Sequence, residues 1–156
     1  MRDEEIKEIL SSSKTIAMIG ISSEKKKEDP KNIKRKPANV VMKYMQSFGY
    51  KVIPINPFAK GEIINGETVV DDIENITIPV DIVDVFRPSK ETPGFAEKAA
   101  KIGSKVLWLQ FGIQNEEAKK ISEDAKLKYV SNKCIKQEYQ KLFQNSNPVY
   151  PVLRND

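Results

Sequence analysis

Ile16-Ala-Met-Ile-Gly20-Ile-Ser22-Ser23 is the stretch that decides the fold. A short, wholly apolar run ends in a glycine and two serines. A basic loop follows, Lys25-Lys-Lys-Glu-Asp-Pro-Lys-Asn-Ile-Lys-Arg-Lys36, and a helical pattern begins at Pro37. A strand apolar on both faces belongs in a parallel sheet. Strand, tight glycine turn, cationic loop and helix N-terminus in that order make an anion site, because the turn's N–H groups and the positive helix end point the same way.

The pattern extends outward from that turn. Residues 3–12 read as an amphipathic helix with Ile6, Ile9 and Leu10 inward. After Pro37, a residue suited to a first helical turn, Val40, Val41, Tyr44, Met45 and Phe48 keep helical spacing up to the stop at Gly49. Lys51–Asn56 is a second strand. Residues 58–70 carry an Asn65-Gly66 hairpin signal, and residues 71–74 suit one helical turn. Val80–Phe86 and Lys105–Leu109 are the third and fourth strands; Arg87-Pro88-Ser89 breaks the third, and a helix then runs to about Ile102. A helix capped by Asn115, a short strand at Lys128–Ser131 and a helix at 135–143 complete the pattern. Strands alternating with helices predict an α/β, Rossmann-like doubly wound parallel five-stranded sheet. The expected organisation is a single domain over 1–143 and a tail over 144–156.

Composition narrows the chemistry. The chain has 156 residues, 39% apolar and 31% charged, the balance of a globular protein with a sizeable core. It has no apolar run long enough for a membrane span, and its charged N-terminus is not expected to be a signal peptide. A single cysteine fits a cytoplasmic location. Residues 25–36 carry a local charge of +5 and the remainder −1, so the whole cationic excess lies beside the glycine turn. With no histidine, Ser-His-Asp and Cys-His nucleophile pairs and HExxH zinc sites are excluded. No catalytic constellation remains, and the chain is not expected to be an enzyme.

The ligand is read at the loops after the strands, where doubly wound sheets bind. A dinucleotide fold expects G-x-G-x-x-G after the first strand and an acid after the second. Here Gly20 stands alone, and the second strand ends in Asn56-Pro57, with Lys60 beyond. Neutral and cationic groups suit a phosphorylated ribose, as in NADP or coenzyme A.

Thr15–Ser22, Gly49–Pro57, Pro79–Pro88, Val106–Ile113 and Asn132-Lys-Cys134, in this order, resemble the small stand-alone CoA-binding proteins of bacteria and archaea. That family's domain is similar to the CoA-binding domain of the succinyl-CoA synthetase alpha subunit. The resemblance implies that Gly20 and Ser22 cradle the pyrophosphate, with Ser23 beside them at the cofactor and Arg35 or Lys36 as the basic residue before the helix. It implies that Asn56, Pro57 and Lys60 border the adenosine and its 3′-phosphate. Phe86, Arg87, Gln110 and Gly112 would line the pantetheine path, and Asn132 and Cys134 would close the pocket. The Glu-His pair common in the family reads Glu138-Tyr139 here.

The expected role is a non-catalytic carrier, a sensor, or an accessory to an acyl-CoA enzyme, with CoA or an acyl-CoA as ligand. An NADP-binding oxidoreductase or redox sensor is one alternative. A nucleic-acid-binding module using loop 25–36 is the other, though that loop lacks aromatic residues for stacking.

Overall fold

The computed structural model describes residues 1–25 and 36–144. Its elements run α1 (Asp3–Ser12), β1 (Thr15–Ile19), α2 (Pro37–Ser47), β2 (Lys51–Ile55), β3 (Ile63–Ile64), β4 (Glu67–Thr68), β5 (Ile82–Val85), α3 (Thr92–Lys101), β6 (Val106–Leu109), α4 (Glu116–Asp124), β7 (Lys128–Val130) and α5 (Ile135–Tyr139). Five strands form one parallel sheet in the order β2-β1-β5-β6-β7, and β3 and β4 make a small antiparallel hairpin. The chain winds from β1 out to β2, then crosses back to β5 and continues to β6 and β7. The winding reverses between β1 and β5, so the crevice beyond their carboxyl ends is the natural ligand position.

The sheet is apolar on both faces, as the β1 run requires. Ile16 and Met18 pack with α1, α2 and α5 through Ile6, Leu10, Met42, Met45 and Ile135. Ala17 and Ile19 pack on the opposite side with Ala96 and Ala99 of α3 and Ala118 of α4. Small residues on α3 and α4 let those helices lie close to the strands. Full burial of each Ile or Leu contributes roughly 1.5–3 kcal/mol.

Local signals explain the element ends. Pro37 opens α2, and Gly49 follows it at φ +96°. Asn115 caps α4 by accepting the Ala118 N–H at 2.9 Å. Asn65 and Gly66 both take positive φ, 48° and 81°, as the two-residue turn of the hairpin demands.

The structure departs from the sequence reading in several places. Val40, expected inward, is 53% exposed, and Ala38, Asn39, Val41, Met42 and Met45 form the buried face instead. The third strand is shorter than expected, and Ser89–Glu91 forms a 3-10 turn before α3. The last helix keeps α geometry only to Tyr139 and widens to π geometry over Gln140–Gln144. The remaining tail lies outside the described residues.

Asp81 stands just before β5 and Asp84 within it. Asp81 accepts the Lys14 and Thr15 N–H groups at 2.8 and 3.1 Å. Burial opposes its ionisation, but these bonds outweigh it and hold the carboxyl below its ordinary range. Asp84 is fully buried between Met18 on β1 and Trp108 on β6, and neither carboxyl oxygen has a hydrogen-bond partner among the described residues. Burial pushes its carboxyl well above the ordinary range.

Candidate functional site

Gly20 joins the ends of three strands. Its N–H donates to Ile55 O at 3.3 Å, and its φ is +104°. A Cβ there would stand 2.8 Å from Phe86 O and 2.9 Å from Phe86 Cβ. Glycine is therefore required twice, by backbone conformation and by the close approach of β1 to the end of β5. Phe86 packs its ring against the core on the α2 and α5 side.

Beyond Gly20 the turn is clamped by two asparagines. Asn56 donates from Nδ2 to Ile21 O at 2.8 Å and accepts the Phe58 N–H at 2.7 Å. Asn39, buried in the first turn of α2, accepts the Ser22 N–H and donates to Ser22 O, both at 2.9 Å. These bonds set the turn directly against the α2 N-terminus. Lys36 Nζ donates to Ser23 O at 3.1 Å, so the cation before the helix also faces the turn. The N–H groups that open a helix have no intrahelical partners, so an anion here meets donors and positive charge together.

A cavity of about 430 Å³ opens beside the turn. Ile19, Ile55, Ile73 and Phe95 give it apolar walls, and Gly20, Ser22, Asn56 and Pro57 line its edge toward the turn. Its rim carries Arg87, held by Glu91 through bonds of 3.0 and 2.8 Å, and Lys98, paired with Asp72 at 2.6 Å. The Glu91 bond keeps Arg87 firmly protonated, and Arg87 in turn holds the Glu91 carboxyl below its ordinary range. Apolar walls with a few placed polar groups suit an aromatic base or a thioester-bearing arm.

A shallower hollow of about 400 Å³ adjoins it, lined by Ser23, Lys25, Lys60 and Glu62, with Phe58 common to both. Phe58 is 83% exposed, an aromatic ring left in solvent at the rim. Lys60 lies 4.0 Å from Asp71. Ser23 does not present a free hydroxyl: it donates to Glu62 Oε1 at 2.6 Å.

Gln110, Gly112, Asn132 and Cys134 form a separate group beyond β6 and β7 and do not line the 430 Å³ cavity. Asn132 Oδ1 accepts the Gly112 N–H at 2.7 Å, and the Asn132 N–H donates to Ile113 O at 3.0 Å. Gln110 is buried, and its Oε1 accepts the Ile135 N–H that opens α5, at 3.2 Å. Trp108 Nε1 donates to Lys133 O at 2.7 Å, which places this ring in the core with its polar edge satisfied. Cys134 is half-buried and packs against the same core. Arg35 lies outside the described residues, as does most of the basic loop.

Sequence reasoning missed Asn39, Phe58 and Glu62. Asn39 leaves a signal in retrospect, a polar residue on the buried face of α2. Glu62 leaves none, because its partner Ser23 lies 39 positions away.

Among the described residues no helix is long and apolar enough to cross a membrane, and no cluster of potential metal ligands occurs. A family model described as a CoA binding domain matches residues 14–140. A Bacillus subtilis (strain 168) protein, the uncharacterised YneT, is 36% identical over 132 residues, 85% of this chain and 90% of its own. A Thermus thermophilus structure, cell-free ID.343, superposes with a TM-score of 0.79 at 34% identity, over 92% of this chain and all of that one. A dinucleotide-forming acetyl-coenzyme A synthetase from Ca. Korarchaeum cryptofilum shares the fold, with a TM-score of 0.59 at 20% identity over 76% of this chain and 25% of that one.

Proposed function

This chain belongs to the CoA-binding domain family, and on that premise we infer that it binds coenzyme A or an acyl-CoA without catalytic machinery of its own. The observation that carries the reading is the turn from Gly20 to Ser23, clamped by Asn39 against the α2 N-terminus beside a cavity of about 430 Å³. That arrangement puts phosphate donors next to an apolar compartment, as a nucleotide with an acyl-carrying arm requires. Lys36 and the first N–H groups of α2 take the pyrophosphate. The adenosine lies against Asn56, Pro57 and the apolar walls, and Lys60 is the cation for its 3′-phosphate. Arg87 exchanges Glu91 for the ligand's polar arm. The group formed by Gln110, Gly112, Asn132 and Cys134 bounds the distal end. In this reading the protein is a carrier, a sensor, or an accessory to an acyl-CoA enzyme.

Asn56 argues against NAD, and calorimetry separates CoA from NADP. The acid that would hold free ribose hydroxyls is absent, and both polar atoms of the Asn56 side chain are spent on the backbone of Ile21 and Phe58. Calorimetry with CoA, dephospho-CoA and NADP tests the reading. CoA is expected to bind most tightly and dephospho-CoA more weakly. Preference for NADP, or no response to CoA, would refute it.

A further inference from the structure

The turn has a second set of anion donors just past Ser22, and a protein carboxylate already fills it. The Ser23 hydroxyl donates to Glu62 Oε1 at 2.6 Å, and the Glu24 N–H donates to Glu62 Oε2 at 2.7 Å. Glu62 is only 8% exposed. Its main chain is fixed at both ends, donating to Ala59 O at 3.0 Å and accepting the Val69 N–H at 2.8 Å. Bonds this short to an ionised acceptor are the stronger, charge-assisted kind. The Ser23 hydroxyl and the Glu24 N–H hold the Glu62 carboxyl below its ordinary range. A hydroxyl and a main-chain N–H converging on two oxygens of one anion is also how protein turns grip phosphate. Cations are at hand, since Lys36 Nζ lies on Ser23 O and Lys25 and Lys60 line the adjoining hollow.

We propose that Glu62 is an internal competitor for the phosphate site, and that a ligand phosphate takes the Ser23 and Glu24 donors by displacing its carboxylate. The proposal takes only the ligand's identity from the coenzyme A reading; the exchange of one anion for another does not depend on it. Two anions cannot share these donors, because like charges at that separation repel strongly. Lys25 and Lys60 are the cations available to the released carboxylate. Glu62 thus keeps the turn assembled when empty and lowers the affinity of the site for every anion.

The test compares wild type with Glu62→Gln, using inorganic pyrophosphate as probe in calorimetry. Gln keeps the shape, and its amide can still accept the Glu24 N–H; the Ser23 bond reverses, with the amide donating to Ser23 Oγ, so the charge is lost while the turn stays bridged. Pyrophosphate is expected to bind the variant about tenfold more tightly. Equal or weaker binding by the variant, or binding by neither protein, would overturn the proposal. A second measurement uses the unaltered protein, should the variant not fold. Carboxyl-carbon NMR is expected to show the Glu62 titration moving up toward the ordinary glutamate range when pyrophosphate saturates the site. A titration that stays put or moves down would overturn the exchange. Tight pyrophosphate binding by the variant, with no CoA binding by either protein, would support the exchange while refuting the coenzyme A reading.

Discussion

Asp84→Asn is the most informative single perturbation of this fold. Asp84 has zero exposure and no hydrogen-bond partner for either oxygen among the described residues. Its burial raises the folded carboxyl well above the ordinary range. Once pH exceeds about 4, the unfolded chain gives up this proton while the folded chain keeps it. The folded state then binds more protons, so stability falls as pH rises. The slope is about 1.4 kcal/mol per pH unit for as long as the buried carboxyl stays protonated. Two pH units inside that window amount to about 2.7 kcal/mol. Asp72 and Asp81 have the opposite sign, because their folded carboxyls sit below the ordinary range. Their stabilisation is full at neutral pH and is lost on acidification below about 4. Wild type is therefore expected to be most stable in mild acid.

Asn has the shape of Asp and does not titrate. Any cost of burying its amide is constant with pH, so it shifts the stability difference without tilting it. The assay is urea unfolding of both proteins from about pH 4.5 to about pH 7.5, followed by fluorescence. Trp108 is the chain's single tryptophan, is fully buried, and sits opposite Asp84 in the β5–β6 register. The variant is expected to gain on wild type steadily as pH rises. A difference independent of pH would refute the claim that Asp84 is buried as the neutral acid.

Gly20→Ala places a Cβ 2.8 Å from Phe86 O at a φ of +104°, and is expected to lower stability by about 2–4 kcal/mol in urea unfolding; a loss below about 1 kcal/mol would show that the turn is not tight. Asn39→Ala removes two bonds of 2.9 Å to Ser22, one donated and one accepted, and should cost about 1–3 kcal/mol by the same assay and weaken CoA binding measured by calorimetry. Arg87→Ala breaks only an exposed pair with Glu91, so stability should change by less than about 1 kcal/mol while CoA affinity falls about tenfold. Loss of stability without loss of affinity would remove Arg87 from the ligand site.

The fold was legible because its signals are local. Ile16 to Ile19 can only be a strand covered on both sides, Gly20 can only be a turn, and Asn65-Gly66 closes a hairpin by its own backbone preference. Val40 failed the same kind of reasoning because the apolar stripe of α2 is wider in sequence than the face the sheet covers. The cavity-lining residues carried by strand ends, Gly20, Asn56 and Arg87, were visible as breaks in apolar runs.

Tertiary structure decided what each polar atom is free to do. Ser23 reads as a phosphate donor in sequence, yet its hydroxyl is spent on Glu62, brought to it by the hairpin loop. Gln110 reads as a ligand contact, yet its side-chain oxygen accepts the first N–H of α5. Asp84 reads as one more strand residue, and only the layers above it make it a buried acid. The sequence determined which elements form and in what order they wind, because propensity and periodicity act over a few neighbouring residues. Which donors remain open to a ligand depended on residues 17 to 39 positions apart meeting in space, and local pattern carries no record of such meetings.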